Sequence, residues 1–312
     1  MKLIITEPSH FSEKALALLN LHFEVIQLSK LKDLSIHIHE ATILFIRLGI
    51  HFNASLLQKA KKMKVICTPT TGLDHIDTDF CNKQNIKIIS LKGEVHFLGT
   101  IPSTAEHTFT LLNAVNRYLN LANQSINEKI WDRNLFKSYN LYGKTLGILG
   151  LGRVGKQVAK YAHAFGMKVI AYDINTEIKH TNVTNVNEIH DLFIKSDFLS
   201  IHIPLEDENI KFVSKDLIKL MKPTACIINT SRGKVWDEQA IVDALMSHKL
   251  RGVATDVVYN EVDEEVFASP IFSIDTHKYN CIITPHIAGA TYDSMKMTEE
   301  FITTKLLRLV NE

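Results

Sequence analysis

The chain has 312 residues, of which 46% are hydrophobic and 22% charged, and its 35 basic and 34 acidic residues leave a formal net charge of +1. These proportions are typical of globular proteins and exclude the disordered and fibrous classes. A chain of this length usually folds as two domains, and its balanced charge, without long runs of one sign, argues against a nucleic-acid partner.

The chain opens with a short apolar strand. Residues 1–6 are followed by Glu7 and Pro8, so the apolar stretch is too short for a signal peptide or a membrane span. We therefore expect a cytoplasmic protein without membrane association.

The first hundred residues alternate apolar strand-like runs with amphipathic helical stretches. The runs lie at residues 3–5, 11–19, 24–26, 42–46, 54–61, 64–67 and 86–89. This alternation favours a parallel sheet. After Pro102 the pattern predicts a long helix through Val115, with Ser103 as its N-cap and Glu106 as the capping-box partner. We interpret this helix as the connection between two domains.

A second alternation of strands and helices fills the rest of the chain and predicts a doubly wound sheet. A helix at residues 154–165 follows the first strand, and a last helix at about 292–310 is expected to return to the first domain. The predicted strands lie at residues 145–149, 168–172, 198–203, 225–229, 252–256 and 281–284.

Residues 150–155 read Gly-Leu-Gly-Arg-Val-Gly, directly after a predicted strand and at the start of a predicted helix. In this context Gly150 permits a tight turn, Gly152 lets the backbone approach a pyrophosphate, and Gly155 lets the helix pack closely on the strand. The amides of Arg153 and Val154 are then expected to face the phosphates of a dinucleotide.

The next predicted strand ends at Asp173, 23 residues after Gly150. An acid at this place accepts hydrogen bonds from the adenosine ribose hydroxyls and repels a 2′-phosphate. Because Ile174, Asn175 and Thr176 follow without an arginine, the sequence predicts NAD rather than NADP as the cofactor.

Three later strands are each followed by a polar residue, at the edge of the sheet where ligands gather. Arg232 offers a planar fork for a carboxylate and can polarise a carbonyl beside it. His286 can give or take the proton on a substrate oxygen, and Glu261 can orient the imidazole and favour its protonated form. Together these three residues predict a catalytic set.

The remaining reactive side chains do not indicate a metal site or a disulfide framework. The four cysteines are far apart without any Cys-x-x-Cys pair, which favours buried free thiols. His37 and His39 have no further ligands at useful spacing. We therefore expect no bound metal.

The chain resembles the D-isomer-specific 2-hydroxyacid dehydrogenase family, which includes phosphoglycerate, D-lactate and glycerate dehydrogenases, over nearly its whole length. The resemblance implies an NAD-dependent oxidoreductase that interconverts a small D-2-hydroxy acid and its 2-oxo acid, with 3-phosphoglycerate-like acids among the candidates. The motifs that carry it lie at residues 64–66, 72–77, 104–107, 150–155 with Asp173, 200–205, 229–233, 237–238, 256–261 and 285–289.

The resemblance also implies which residues act. Arg232, Glu261 and His286 match the catalytic residues of the family. Backbone amides near Thr70, Thr71 and Gly72, together with Arg232, are expected to bind the substrate. The implied cofactor contacts are Gly150, Gly152, Arg153, Val154, Gly155, Asp173, Thr230, Ser231, Arg232, Asp256, His286 and Gly289.

The fold implied by the resemblance is α/β, with two doubly wound parallel-sheet domains. Residues 102–289 are expected to form a Rossmann-type NAD domain, and residues 1–101 with 290–312 a flavodoxin-like substrate domain. A homodimer formed mainly through the cofactor domain is also implied. Because only residues 287–312 follow His286, we expect no C-terminal regulatory domain.

Two places depart from the usual family pattern or leave a choice open. Residues 93–104 replace a shorter loop rich in glycine and asparagine, so we expect a different pocket there, with Phe97 and Leu98 either lining it or packing. Arg47 stands where some phosphoglycerate-type relatives carry an arginine that meets substrate phosphate. An ordinary surface charge explains it equally well.

Two other functions fit the same motifs. A dinucleotide-sensing protein, like the corepressors of this fold, would keep the cofactor motif and the three polar residues without catalysis. Oxidation of formate or phosphonate would use the same cofactor half and differ at the substrate loop. Turnover with 2-oxo acids distinguishes these from the dehydrogenase.

Overall fold

The computed structural model describes residues 1–261 and 266–311. The chain divides into two compact units. The first unit comprises Met1–Thr100 and Ala290–Glu312, and the second comprises Ile101–Gly289. Each unit is built around its own parallel sheet.

The described residues form twelve strands and twelve helices. The strands are β1 (Lys2–Ile5), β2 (Glu24–Gln27), β3 (Ile43–Phe45), β4 (Val65–Cys67), β5 (Lys87–Ile89), β6 (Thr145–Leu149), β7 (Lys168–Tyr172), β8 (Val183–Asn185), β9 (Phe198–Ile201), β10 (Cys226–Asn229), β11 (Gly252–Thr255) and β12 (Cys281–Ile283). The helices are α1 (Glu13–His22), α2 (Leu34–His37), α3 (Ala54–Leu57), α4 (Thr78–Lys83), α5 (Val95–Leu98), α6 (Ser103–Asn116), α7 (Leu119–Asn127), α8 (Arg153–Ala164), α9 (Ile189–Lys195), α10 (Lys215–Leu220), α11 (Glu238–Met246) and α12 (Tyr292–Asn311).

The first unit has a five-stranded parallel sheet with the order β2-β1-β3-β4-β5. This is the flavodoxin-like order, in which helices cover both faces of the sheet. Its middle strands β3 and β4 are buried throughout, because apolar side chains face helices on both sides. The C-terminal helix α12 packs against α1 and β5 and completes one of the two cores.

The second unit has a seven-stranded parallel sheet with the order β12-β11-β10-β9-β6-β7-β8. The chain winds outward from β6 in one direction through β7 and β8, and in the other through β9 to β12. Strands β9, β10 and β11 are fully buried, which explains their nearly continuous apolar sequence. The predicted α/β class with two doubly wound parallel sheets is confirmed.

Strand β8 has no counterpart among the predicted strands. Val183–Asn185 is three residues long, lies at the edge of the sheet and exposes two of its three residues. Because an exposed edge strand needs no apolar run, the sequence pattern gave no signal for it.

The predicted capping box of α6 is wrong. The helix begins at Ser103 itself, after Pro102, whose carbonyl accepts the amide hydrogen bond of Glu106 at 3.0 Å. The Ser103 hydroxyl is buried and has no hydrogen-bond partner among the described residues. Pro102 therefore occupies the N-cap position, and its side chain cannot accept a hydrogen bond from the first turn of the helix.

No helix in the described ranges combines the length and the apolar character that crossing a membrane requires.

Candidate active site

The glycine turn joins β6 to α8 in the second unit. Gly150 has a φ of 92°, and a Cβ there would stand 2.9 Å from the carbonyl carbon of His202, so only glycine fits this turn. A Cβ on Gly155 would lie 2.3 Å from the carbonyl oxygen of Gly150. A Cβ on Gly152 would meet nothing within 4 Å, which leaves open space in front of the helix.

The turn sits at the point where the strand order reverses, because β6 lies between β9 and β7. In open α/β sheets ligands bind at such a point, outside the carboxyl ends of the strands. The first helical residues of α8 are Arg153 and Val154, whose amides have no partner within the helix. The helix dipole and the open space at Gly152 therefore suit a pyrophosphate, and the residues present fit NAD.

Asp173 follows β7 beside the glycine turn. One carboxylate oxygen accepts the amide of Leu151 at 2.7 Å, and the other accepts the amide of Asn175 at 2.9 Å. The carboxylate thus fixes the turn that it borders. Since each oxygen has a second lone pair, it can still accept from a ribose hydroxyl.

His202 borders the same turn from the end of β9, and the predicted site set omitted it. Its Nε2 lies 2.8 Å from the Ser200 hydroxyl. Burial, and secondarily the guanidinium of Arg153, lower the pKa of His202 to about 3, so the ring is neutral. His202 therefore adds no positive charge beside the glycine turn, whereas the guanidinium of Arg153 does. Arg153 Nη1 donates to the carbonyl of Ile101 at 3.4 Å.

His286 and Glu261 form an ion pair through His286 Nδ1 and Glu261 Oε1. His286 has a φ of 53°, a conformation that non-glycine residues seldom adopt. Its amide donates to the backbone carbonyl of Asp256 at 2.9 Å, which holds the turn in place. The pairing with Glu261 and the bonded turn hold the His286 ring in one orientation.

Asp256 organises the turn that carries His286. Its buried carboxylate accepts the amides of Ile287 at 2.9 Å and Ala288 at 2.8 Å. It also contacts the Thr284 hydroxyl and the ring of His107, whose Nε2 lies 3.3 Å away. Burial raises the pKa of Asp256, but these hydrogen bonds outweigh burial and hold it below its ordinary value. His107, on α6, lies in the motif at residues 104–107, but the sequence alone gave it no role beside Asp256.

Arg232 lies in the turn after β10, between Ser231 and the short helical turn that begins at Gly233. Its Nη1 donates to the carbonyl of Ser231 at 2.8 Å, and its own carbonyl accepts from Asn229 Nδ2 at 3.0 Å. A Cβ on Gly233 would lie 2.1 Å from the carbonyl of Val258. The turn that carries Arg232 is therefore pressed against the segment that leads to Glu261.

Three more residues were predicted to contact the cofactor. Thr230 and Ser231 lie in the turn after β10, and Gly289 is at the end of the second unit. The Thr230 hydroxyl is 2.7 Å from that of Thr108 on α6. Ser231 donates through its amide and its hydroxyl to Asn229 Oδ1, which caps the turn. Gly289 is the last residue of the second unit, and a Cβ there would meet nothing within 4 Å.

The predicted substrate residues Thr70, Thr71 and Gly72 belong to the first unit, where they follow β4. The Thr70 hydroxyl donates to the carbonyl of Gly72 at 2.9 Å, and the Thr70 carbonyl accepts the amide of Leu91 at 2.9 Å. This segment is therefore anchored to the chain that leaves β5. The other predicted catalytic and cofactor residues lie in the second unit.

The segment that follows β5, which includes the unusual residues 93–104, makes polar and aromatic contacts with α12. Lys305 Nζ donates to Glu94 at 2.6 Å and to the carbonyl of Ser90 at 3.1 Å. The Phe97 ring stacks on Phe301, with ring centroids 3.9 Å apart. Phe97 therefore packs against α12.

All four cysteines are free and buried, and burial raises the pKa of each thiol. Within residues 1–261 and 266–311, no group of three or more histidine, cysteine, aspartate or glutamate side chains is arranged to hold a metal ion.

Glu238 is a buried carboxyl at the start of α11, close to the Glu261 segment. Its Oε2 accepts the amide of Tyr259 at 3.1 Å. Burial raises the pKa of Glu238 to about 7, although the amides of Tyr259 and Ile271 act in the opposite direction. The folded chain therefore holds this proton to a higher pH than the unfolded chain does.

Replacement of Gly152 and Gly155 separates cofactor approach from helix packing. Gly155→Ala is expected to lower the melting temperature, because its methyl group would collide with the Gly150 carbonyl. Gly152→Ala is expected to keep the melting temperature and to weaken NADH binding at least about tenfold, because the methyl group would fill the space for the pyrophosphate. Calorimetric titration and thermal unfolding measure both effects. Unchanged NADH affinity in Gly152→Ala would contradict the assigned phosphate site.

Glu238 predicts a stability difference that depends on pH. The carboxyl ionises near pH 4.5 in the unfolded chain and near 7 in the folded one, so it lowers the free energy of unfolding as pH rises between those values. Relative to Glu238→Gln, the wild type is expected to lose about 1 to 2 kcal/mol from pH 5 to pH 8, after allowing for screening by solvent. Denaturant titrations at both pH values test this, with exposed Glu208→Gln as the control. A difference that is equal at both pH values would refute it.

Comparison with known proteins agrees with this geometry. The family model described as the NAD-binding domain of D-isomer specific 2-hydroxyacid dehydrogenases matches residues 109–288. D-3-phosphoglycerate dehydrogenase from Methanocaldococcus jannaschii is 33% identical over 99% of this chain, which spans 57% of that relative's length. Hydroxypyruvate reductase from Thermotoga maritima is 32% identical over 88% of this chain and 85% of its own length.

Among solved structures, D-lactate dehydrogenase from Aquifex aeolicus, complexed with NAD and lactic acid, has a TM-score of 0.84 and 26% sequence identity. The match covers 100% of this chain and 96% of that one. The glycine turn of β6 and α8 lies within the matched NAD-binding domain. The chain thus belongs to the D-isomer specific 2-hydroxyacid dehydrogenase family and carries its NAD-binding domain.

Proposed function

We propose that this protein is an NAD-dependent dehydrogenase that interconverts a small D-2-hydroxy acid and the corresponding 2-oxo acid. The observation that carries the proposal is the His286–Glu261 ion pair, which is held by the buried Asp256 in the same unit as the glycine turn. A histidine fixed by a carboxylate is the arrangement that proton transfer to a substrate oxygen requires. Relatives named D-3-phosphoglycerate dehydrogenase and hydroxypyruvate reductase support the same reaction class.

Arg232 binds the substrate carboxylate and polarises the neighbouring carbonyl. Its planar guanidinium matches a carboxylate with two parallel hydrogen bonds, and it follows a buried strand whose turn is fixed by Asn229. The substrate is thereby oriented before the reaction, which lowers the entropic part of the barrier.

His286 transfers the proton. Glu261 holds Nδ1, so the ring presents Nε2 to the substrate oxygen and protonates it as the 2-oxo acid becomes a 2-hydroxy acid. In the opposite direction the same nitrogen accepts the proton. The Glu261 carboxylate compensates the charge of the protonated ring.

The second unit holds the cofactor and the first unit binds the substrate, through the segment of Thr70, Thr71 and Gly72. NADH supplies a hydride when bound, and NAD accepts one. The open space at Gly152 and the carboxylate of Asp173 support this assignment. The proposed cofactor contacts are Gly150, Gly152, Arg153, Val154, Gly155, Asp173, Thr230, Ser231, Arg232, Asp256, His286 and Gly289.

Consumption of NADH with a panel of 2-oxo acids tests the activity. We expect turnover of at least one among glyoxylate, pyruvate, hydroxypyruvate, oxaloacetate and 3-phosphohydroxypyruvate. His286→Ala is expected to lower kcat at least about 100-fold and to weaken NADH binding much less, because proton transfer contributes on the order of 100- to 10,000-fold. Exposed His277→Ala is the matched control. NADH binding without any turnover would instead favour a sensing protein.

The protein is also proposed to be a homodimer. A cavity of about 950 Å³ lies beside α6, α7 and α8, and its lining includes Phe109, Phe136, Tyr161 and Phe165. The chain after α7 exposes large apolar side chains, among them Trp131, which is 92% exposed. An apolar cavity beside exposed apolar side chains on one unit is a candidate interface, and a two-fold pair would bury it twice.

The buried free thiols support a cytoplasmic location, where thiols stay reduced.

The dimer predicts a mass about twice the 35.4 kDa of the chain in light scattering. Trp131→Ser is expected to weaken dimerisation at least about tenfold, because buried aromatic side chains often dominate interfaces. Ile194→Ser, which changes an exposed residue on α9, is the control and should leave the mass unchanged. A monomeric wild type, or equal dimerisation in both variants, would rule out this interface.

A further inference from the structure

Arg47 lies beside the segment that the proposed function assigns to the substrate. It follows β3, which pairs with β4 in the first unit, and the amide of Ile46 donates to the carbonyl of Cys67 at 2.9 Å. Because neighbouring strands are about 4.8 Å apart, Arg47 stands one strand away from the chain at residues 68–70. An arginine here could meet a second anionic group on a substrate.

The guanidinium of Arg47 is already occupied by its own unit. Nε donates to Glu299 Oε1 at 3.1 Å, and Nη2 forms an ion pair with the same oxygen. Nη1 donates to the carbonyl of Ser9 at 3.0 Å. Each of the three nitrogens therefore has an acceptor, and the guanidinium centre lies 5.9 Å from the centroid of the Phe11 ring.

Glu299, the partner of Arg47, is also fixed by burial and by hydrogen bonds. Its side chain is fully buried on α12, and Oε2 accepts the amide of Ser12, the N-cap of α1, at 2.7 Å. Burial raises the pKa of Glu299, while the Ser12 amide and Arg47 oppose the rise. Withdrawing Arg47 would leave a buried carboxyl without its partner, which is strongly unfavourable.

A second acid stands at the same edge of the sheet. Glu7 follows β1, and its carboxylate accepts the amide of Arg47 at 3.0 Å and the amide of Gly49 at 3.1 Å. Around the one arginine there are thus two carboxyl groups, Glu7 and Glu299. With both ionised, the charges of this cluster sum to minus one, so it repels an additional phosphate.

We infer that the cluster of Arg47, Glu299 and Glu7 restricts the substrate to 2-oxo acids whose only anionic group is the carboxylate. Because Arg47 is paired with Glu299, it does not bind a substrate phosphate. It determines substrate specificity through this pairing. This inference rests on the proposed dehydrogenase function and on the assignment of the first unit to the substrate.

The test compares two acids with the same carbon skeleton. For the purified full chain with NADH, kcat/KM is measured with hydroxypyruvate and with 3-phosphohydroxypyruvate. We expect the wild type to prefer hydroxypyruvate at least about tenfold, because like-charge contact costs several kcal/mol and about 1.4 kcal/mol is tenfold. Preference for the phosphorylated acid would overturn the inference while leaving the proposed function intact. If neither acid nor any other 2-oxo acid of the panel is reduced, the proposed function itself fails.

Variants then identify the cause of the preference. Glu299→Gln is expected to shift the kcat/KM ratio toward the phosphorylated acid by at least about threefold, because it removes a negative charge and loosens Arg47. Glu7→Gln should shift the ratio in the same direction and serves if Glu299→Gln does not fold. Glu24→Gln is the control, because exposed Glu24 lies on β2 and contacts Lys2. A ratio unchanged in both Glu299→Gln and Glu7→Gln would overturn the role of the cluster.

Discussion

The candidate site depends on one buried carboxylate, that of Asp256. His286 occupies a left-handed backbone conformation that costs about 1 to 3 kcal/mol for a residue with a side chain. Asp256 offsets this cost, since its carbonyl accepts the His286 amide and its carboxylate accepts the next two amides. The contact with His107 extends the support to α6. The position of the imidazole is therefore set by the end of a neighbouring strand as well as by its own turn.

The topology of the sheet explains how three residues far apart in sequence come to the same edge of the second unit. Strands β10, β11 and β12 are neighbours in one parallel sheet, with Asn229 in register with Thr255 and Thr255 with Ile283. Arg232, Glu261 and His286 each follow one of these strands at the same edge. Close approach of Gly233 to Val258 and the Glu238 carboxyl beneath Tyr259 hold the first two turns against each other. The fold thus places Arg232 and the His286–Glu261 pair after neighbouring strands of one sheet.

The sequence predicted the parts of the fold that local patterns encode. Apolar runs revealed the buried strands, and the glycine turn was recognised because its chemistry lies within six residues. Partners that depend on distant chain segments could not be predicted. His107 meets Asp256 across 149 positions, and Phe97 stacks on Phe301 across more than 200. Strand β8 was not predicted because an exposed edge strand carries no apolar run. The Ser103 cap was wrong because Ser103 is already the first helical residue and Pro102 is the N-cap.

Arg47 and Arg232 show that a position at the end of a strand is not sufficient to identify an anion-binding arginine. Both arginines follow apolar strands, and on that rule alone both qualify as anion-binding residues. For Arg47 the structure adds a side chain 252 positions away, because Glu299 occupies its guanidinium inside the first unit. Withdrawing an arginine from a buried acid for another anion is strongly unfavourable. The restriction proposed for the substrate therefore depends on a contact between the end of β3 and α12, which is a property of the folded chain and absent from any local motif.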